Sequence, residues 1–238
     1  MSALHFIIPA AGVGSRMQAD RPKQYLSLLG KPILTQTLTA LMSVPYQSVT
    51  LAVHSTDPYL AAVRREWPSD WQVNTVVGGA ERYASVHAAL ISLQAHDDDW
   101  VAIHDAARPC VLVQDIQRLL DQLDAQDAIG GLLGIPVSNT LKNVQANQVL
   151  NTQDRQNLWQ ALTPQVFRYG ALKTAFESLQ DHCITDDAAV MEQAGHTPLM
   201  VSGDPRNIKI TQPHDLLLAE LFLPAVQQAN RCLTVNRD

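Results

Sequence analysis

The residues best suited to chemistry on a phosphate lie near the start of the chain. The apolar run His5-Phe6-Ile7-Ile8-Pro9 ends in Ala10-Ala11-Gly12-Val13-Gly14-Ser15-Arg16, and Lys23 follows. Glycines let a backbone turn tightly and bring its N–H groups to an anion. Arg and Lys can neutralise the charge that develops when a phosphoryl group is transferred. Gly-x-Gly alone fits an ordinary strand-to-helix turn equally well, but two cations on the same loop favour an anion-binding reading. Two common glycine loops are excluded by the letters. A dinucleotide fingerprint needs a third glycine where Met17 stands and an acidic residue where Val53 and His54 stand. A phosphate loop of the Gly-Lys-Ser/Thr type is absent.

Elements able to position this loop recur along the chain. Apolar runs at Leu4 to Pro9, Val49 to His54, Gln72 to Val77, Trp100 to His104 and Ala128 to Val137 read as strands. Between them lie helical spacings, at Leu34, Leu38 and Leu41, at Leu60 and Val63, at Val86, Leu90 and Leu93, and at Ile116, Leu119, Leu120 and Leu123. The alternation predicts an α/β fold, a Rossmann-like, mostly parallel sheet with helices on both faces. Ligands of such sheets sit at the carboxyl ends of the strands. The loops in question carry Arg16, Gly78-Gly79-Ala80-Glu81-Arg82, and Asp105-Ala106-Ala107-Arg108-Pro109.

After Pro136, alternating polar and apolar residues on either side of Gln145-Ala146-Asn147-Gln148 predict a β-hairpin arm at about 137–156, without an Asn-Gly or Asp-Gly turn. A lone ribbon is marginal and needs something to pack on, and a second subunit is the expected partner. Helices are expected from about Arg168 to Leu179, from Asp186 to Gln193 and from about His214 onward, with a strand near Leu199 to Val201.

At 238 residues, 46% hydrophobic and 17% charged, the chain reads as one domain spanning 1–238 with a projecting arm. The net charge of -6 argues against a general nucleic-acid surface. The absence of a long apolar run or leader pattern leads to the expectation of a soluble cytoplasmic protein. Cys110, Cys183 and Cys232 are odd in number and widely spaced, so they are expected to be buried, reduced and structural. His104 precedes Asp105 on a strand and is expected to pack rather than to catalyse.

A resemblance makes the reading specific. Ala10 to Met17, followed by Pro22-Lys23-Gln24-Tyr25-Leu26, resembles the signature of nucleotidyltransferases that make sugar- and polyol-nucleotides, in their cytidylyltransferase branch. Matches continue through Gly78-Gly79 with Glu81-Arg82 and Ser85, His104 to Pro109, Asp154-Arg155, Leu158-Trp159, Leu162-Thr163-Pro164-Gln165, Thr185-Asp186-Asp187 and Asn207-Ile208-Lys209. Together they are similar to the 2-C-methyl-D-erythritol 4-phosphate cytidylyltransferase family of the non-mevalonate isoprenoid route.

The resemblance implies that CTP and the polyol phosphate react, with Mg²⁺, to the CDP-polyol and pyrophosphate. A phosphomonoester is largely a dianion at neutral pH and needs no general base. The difficulty is bringing two polyanions in line while charge builds on the leaving group. By resemblance, Arg16 and Lys23 stabilise the transition state. Pro9, Ala10, Ala11, Gly12 and Gly14 form the CTP loop, and Gly79, Ser85 and Ala106 complete the nucleotide site, with the Ser85 hydroxyl reading cytosine. Ala80 stands where the family often has an acid. Asp105 is expected to contact polyol hydroxyls or, alternatively, the metal. Arg155 and Lys209 are expected to hold the substrate phosphate, with Thr140 and Thr163 as neighbouring hydroxyls.

Two cations stay open: Arg82 fits a direct contact or a helix-start cation, and Arg108 a nucleotide contact or a loop-shaping ion pair. Thr140 and Arg155 flank the arm, so the family likeness implies a homodimer with shared sites. The rivals are a ribitol 5-phosphate cytidylyltransferase and a nucleotide-binding module without turnover.

Overall fold

The computed structural model of the chain describes residues 2–12, 17, 19–179 and 184–235. β1 (Leu4–Pro9) leads through a 3-10 turn at Lys23–Tyr25 and two short strands, β2 (Ser27–Leu28) and β3 (Lys31–Pro32), into α1 (Ile33–Leu41). Strands and helices then alternate as the apolar pattern predicts: β4 (Ser48–Val53), α2 (Leu60–Arg64), β5 (Val73–Val77), α3 (Arg82–Ser92), β6 (Trp100–Ile103), α4 (Val113–Ala125) and β7 (Gly130–Pro136). The second part holds β8 (Leu141–Gln145), β9 (Gln148–Gln153), β10 (Trp159–Arg168), α5 (Tyr169–Glu177), α6 (Asp187–Gln193), β11 (Leu199–Ser202) and α7 (Pro213–Val235).

Seven strands form one sheet in the order β5-β4-β1-β6-β10-β7-β11. All of its pairings are parallel except the two made by β10, which runs antiparallel between β6 and β7. The sheet is therefore mostly parallel, as expected, but β10 is an addition that the apolar pattern did not mark. Its middle reads Thr163-Pro164-Gln165, and proline cannot donate to a ladder. The register shifts between Ala161 and Gln165, and the Thr163–Pro164 peptide is cis.

Alternation along the strands builds a core on each face. From β1, Leu4, Phe6 and Ile8 pack with Leu34 and Leu38 of α1 and Ile116 and Leu119 of α4. Ile7 points the other way, with Val101 and Ile103 of β6, to meet Val86 and Leu90 of α3 and Leu172 of α5. Strands covered on both faces read as the near-continuous apolar runs seen here. A third cluster joins α7, through Ala219, Leu223 and Val226, to Ala107, Cys110, Leu112 and Ile210. That cluster bolts the loop after β6 to the chain segment before α7.

β8 and β9 form a separate two-stranded sheet, and every residue of β9 is exposed. Ala146 and Asn147 both take positive φ, 46° and 65°, which makes the tight turn a right-twisted hairpin wants without glycine. Cys110 is buried as expected, and burial pushes its thiol up to about 12. Cys232 differs from expectation: it is exposed, on the outer side of α7. Cys183 lies outside the described residues.

Candidate active site

The loops after β1, β5 and β6 converge on a cavity of ≈ 280 Å³ at the carboxyl ends of the parallel strands. Pro9, Ala10, Ala11 and Gly12 line one side, and Gly79 and Ser85 a second. Lys23, Asp105, Ala106 and Lys209 complete the set of sequence-expected residues that face it. Gly14 and Arg16 lie outside the described residues.

The first loop is held from within. Gln24, buried, donates from Nε2 to the carbonyls of Ala10 (2.7 Å) and Gly12 (3.2 Å). Its neighbour Lys23 donates from Nζ to the Ile210 carbonyl at 2.8 Å, linking this loop to the segment carrying Lys209. A Cβ built on Gly12, which lines the cavity, would meet nothing within 4 Å among the described residues. Gly78 is different: a Cβ there would lie 2.7 Å from the Ala11 Cβ and 2.8 Å from the Ser85 Oγ, so only glycine lets these two loops approach. The Ser85 hydroxyl accepts from the Gly79 N–H at 3.1 Å and lies 3.1 Å from the Glu81 carbonyl, its strongest available acceptor there. It serves first to hold the glycine loop.

Asp105, just past β6, is the hub. Its Oδ2 receives Arg108 Nε at 3.0 Å and Lys209 Nζ at 3.0 Å, and its Oδ1 receives Arg82 Nε at 3.3 Å. Burial alone would raise its pKa, but Lys209, Arg82 and Arg108 outweigh that and hold the carboxyl well below the usual range. Arg82 also clasps Asp187 of α6 with both terminal nitrogens, at 3.0 and 2.7 Å. Burial works against the Arg82 charge, yet Asp187 and then Asp105 keep its pKa raised. Burial likewise pushes the Asp187 carboxyl upward, opposed by Arg82.

Behind the hub, His104 is fully buried and burial pushes its pKa down to about 4. Its Nε2 lies 3.0 Å from the Arg108 carbonyl and its Nδ1 3.1 Å from Thr163 Oγ1, which also accepts the Asp105 N–H at 3.2 Å. These contacts assign a neutral ring with the proton on Nε2, donating to the carbonyl, while the Thr163 hydroxyl donates to Nδ1. His104 thus packs, as expected.

Thr163 is buried at the back of Asp105, with its hydroxyl already committed to this network. Arg108 is also buried; its remaining contact is from Nη1 to the Asn207 carbonyl at 2.8 Å, and it does not line the cavity. Of its two readings, the geometry matches the loop-shaping ion pair. Arg82 is the first residue of α3, as its helix-start reading has it, and it also lines the cavity while its fork is held by a second buried carboxylate, Asp187. Thr140 and Arg155 are exposed at the base of the arm, away from the cavity lining, and Arg155 Nη1 donates to the Ser138 carbonyl. The chain therefore assembles Lys23, Asp105 and Lys209 in one place and leaves Thr140 and Arg155 outside it.

Three participants carry no assigned role in the motif: Gln24, Gln165 and Asp187. Gln165 donates to Asp186 Oδ2 at 2.9 Å and accepts from the Ala188 N–H at 2.8 Å, tying β10 to α6. A signal existed for Asp187. Asp186 is the N-cap, its side chain accepting from the Ala189 N–H, so the second acid of the pair has no capping task left. Among the described residues no group of three or more His, Cys, Asp or Glu side chains is arranged to hold a metal.

A doubly covered, mostly parallel sheet whose strand ends bring Gly12, Lys23, Arg82 and Lys209 to one cavity is the frame of a nucleotide-using transferase of the Rossmann-like α/β class. The chain belongs to the 2-C-methyl-D-erythritol 4-phosphate cytidylyltransferase family, whose model matches residues 4–225. The enzyme of that name from Alteromonas mediterranea is 49% identical over 223 residues, covering 91% of this chain and 91% of the relative. The one from Vibrio vulnificus is 46% identical over 229 residues, covering 94% of this chain and 95% of the relative. Among solved structures, a 4-diphosphocytidyl-2C-methyl-D-erythritol synthase superposes with a TM-score of 0.82 at 33% identity, covering 94% of this chain and 99% of that one. The Francisella tularensis family member gives 0.78 at 34% identity, with 92% and 99% covered. Membership in this family disfavours both the ribitol phosphate and the non-catalytic alternatives.

Proposed function

We propose that the protein transfers CMP from CTP to 2-C-methyl-D-erythritol 4-phosphate, releasing pyrophosphate. The observation that carries this reading is the meeting of Lys23, Asp105 and Lys209 in one cavity, in a chain of this family. CTP lies along the β1 loop, with Lys23 and Arg16 on the phosphates. Asp105 accepts from the polyol hydroxyls, while Lys209, 37% exposed, turns its ammonium to the incoming phosphate. Two anions are thereby brought in line by cations already in place, which lowers the barrier without a base.

Mg²⁺ is part of the proposal. Asp105 is a poor candidate to hold it, since three cations already surround its carboxylate. Magnesium relies on substrate phosphates and waters, and the triphosphate supplies such oxygens. Bound there, it would offset charge on the leaving pyrophosphate.

The working unit we propose is a cytoplasmic homodimer in which Thr140 and Arg155 of each arm enter the partner's cavity. In its support, both residues are exposed, and the arm carries the outward apolar side chains Val144, Val149 and Leu150. The test is pyrophosphate release by purified protein supplied with CTP, Mg²⁺ and the methylerythritol phosphate, with ribitol 5-phosphate in competition. Turnover of the first polyol is expected; turnover of ribitol phosphate alone, or of neither, refutes the assignment.

A further inference from the structure

Asp187 is a buried carboxylate that the reaction as proposed does not use. Its side chain is 1% exposed, its helix is already capped by Asp186, and Gln165 fixes the residues on either side of it. Its partner Arg82 lines the cavity. We propose that Asp187 is a positioning residue: by occupying both terminal nitrogens of Arg82, it keeps that guanidinium from closing over Asp105 and so leaves Asp105 able to receive the polyol.

The geometry supports this in three steps. An arginine fork prefers to meet a carboxylate with two parallel hydrogen bonds. Arg82 has two carboxylates within reach and gives its bidentate face to Asp187, leaving Asp105 the single Nε contact at 3.3 Å. Among the described residues, Asp105 Oδ1 is met by Arg82 alone, whereas Oδ2 holds Arg108 and Lys209. The orientation of the Asp105 carboxyl plane, and how much of Oδ1 stays open to a substrate hydroxyl, therefore depend on where Arg82 is held. With Asp187 neutral, Arg82 would be freed to pair with Asp105 through both oxygens. The effect should fall on the polyol, not on the nucleotide.

This inference rests on the reading that Asp105 binds the polyol, so Asp105→Asn is measured beside it. If Asp105→Asn leaves the KM for the polyol phosphate unchanged, that reading fails; if it raises that KM while Asp187→Asn does not, the positioning role alone fails. For Asp187→Asn we expect the KM for the polyol phosphate to rise roughly tenfold and the KM for CTP to stay within about twofold. A simple structural tie between α3 and α6 would instead lower Tm and leave both constants alone, or raise both together. Because Asp187 acts through Arg82, the double variant Arg82→Gln/Asp187→Asn should be no worse in polyol KM than Arg82→Gln; additive losses would overturn the proposal. Should Asp187→Asn fail to fold, Arg82→Lys keeps the charge, loses the fork and sits at a partly exposed position. It is expected to raise the polyol KM selectively, and an unchanged polyol KM would refute the role.

Discussion

The Asp105 hub and the β8–β9 arm are opposites in construction. The hub packs one carboxylate, two arginines and a lysine around a buried strand end, with His104, Thr163 and Asn207 fixing it from behind. The arm is a two-stranded ribbon with exposed faces, whose Arg155, after β9, finds the Ser138 carbonyl in the connection that enters the arm before β8. Charges in the hub are set in place before any ligand arrives, so little reorganisation is left for the reaction. On the arm, Lys142 and Arg155 are exposed and meet a threonine hydroxyl and a backbone carbonyl, with no such frame among the described residues. The contrast teaches that the cavity around Asp105 is a property of the fold, whereas the role proposed for Arg155 would need a second surface to place it.

That contrast can be broken at several points. Lys23→Ala should cut turnover by a factor of roughly 100 or more, because a contact made to developing charge is lost. A raised KM at unchanged turnover would remove Lys23 from that role. Arg155→Ala should lower kcat/KM for the polyol phosphate by about tenfold or more while Tm stays within about a degree, as befits an exposed side chain. A large loss of Tm would mean that the arm is built into the fold after all.

Thr163→Val should show the reverse pattern. It removes the acceptor of the Asp105 N–H and the donor to His104, leaving buried polar groups unpaired at a cost of about 1–3 kcal/mol. Thermal unfolding would register this as a fall of several degrees, and an unchanged Tm would contradict the network. The smallest effect concerns pH. His104 binds its proton less readily folded, at about 4, than unfolded, at about 6.5, so the unfolded chain takes up more protons between those values. Stability contributed by neutral His104 is complete above about pH 6.5 and declines on acidification, by about 2 kcal/mol between pH 7 and pH 5. A His104→Gln variant should have the flatter profile over that window; parallel profiles would show that the ring is not held neutral.

Much of this was legible in the letters. Leu4 to Pro9 and Trp100 to His104 are apolar on both faces because both faces are covered, and the glycines and cations follow where such strands end. Ala10, Gly12, Lys23, Gly79 and Asp105 lie on those loops, Lys209 is marked by the family resemblance alone, and all of them share one cavity. β10 was not, because a strand interrupted by Pro164 and edged with polar residues lacks periodicity, and its pairing is set by neighbours remote in sequence. The Arg82–Asp187 clasp spans residues 105 apart in the chain, which no local spacing encodes. Thr163 shows a related limit: a hydroxyl beside the site and one buried behind it look the same in sequence. The tight turn at Ala146-Asn147 lacks the usual glycine, so the arm was visible through its alternation alone.

The most direct test of a site divided between the hub and the arm of a second subunit is to mix the two impaired proteins, Lys23→Ala and Arg155→Ala, allow subunits to exchange, and measure pyrophosphate release at limiting polyol phosphate. Random re-pairing makes hybrids with one intact site each, so activity should recover to about a quarter of the wild-type value. Activity no greater than the sum of the two separate proteins, with exchange verified, would contradict a shared site and place Arg155 outside the reaction or within its own subunit's cavity.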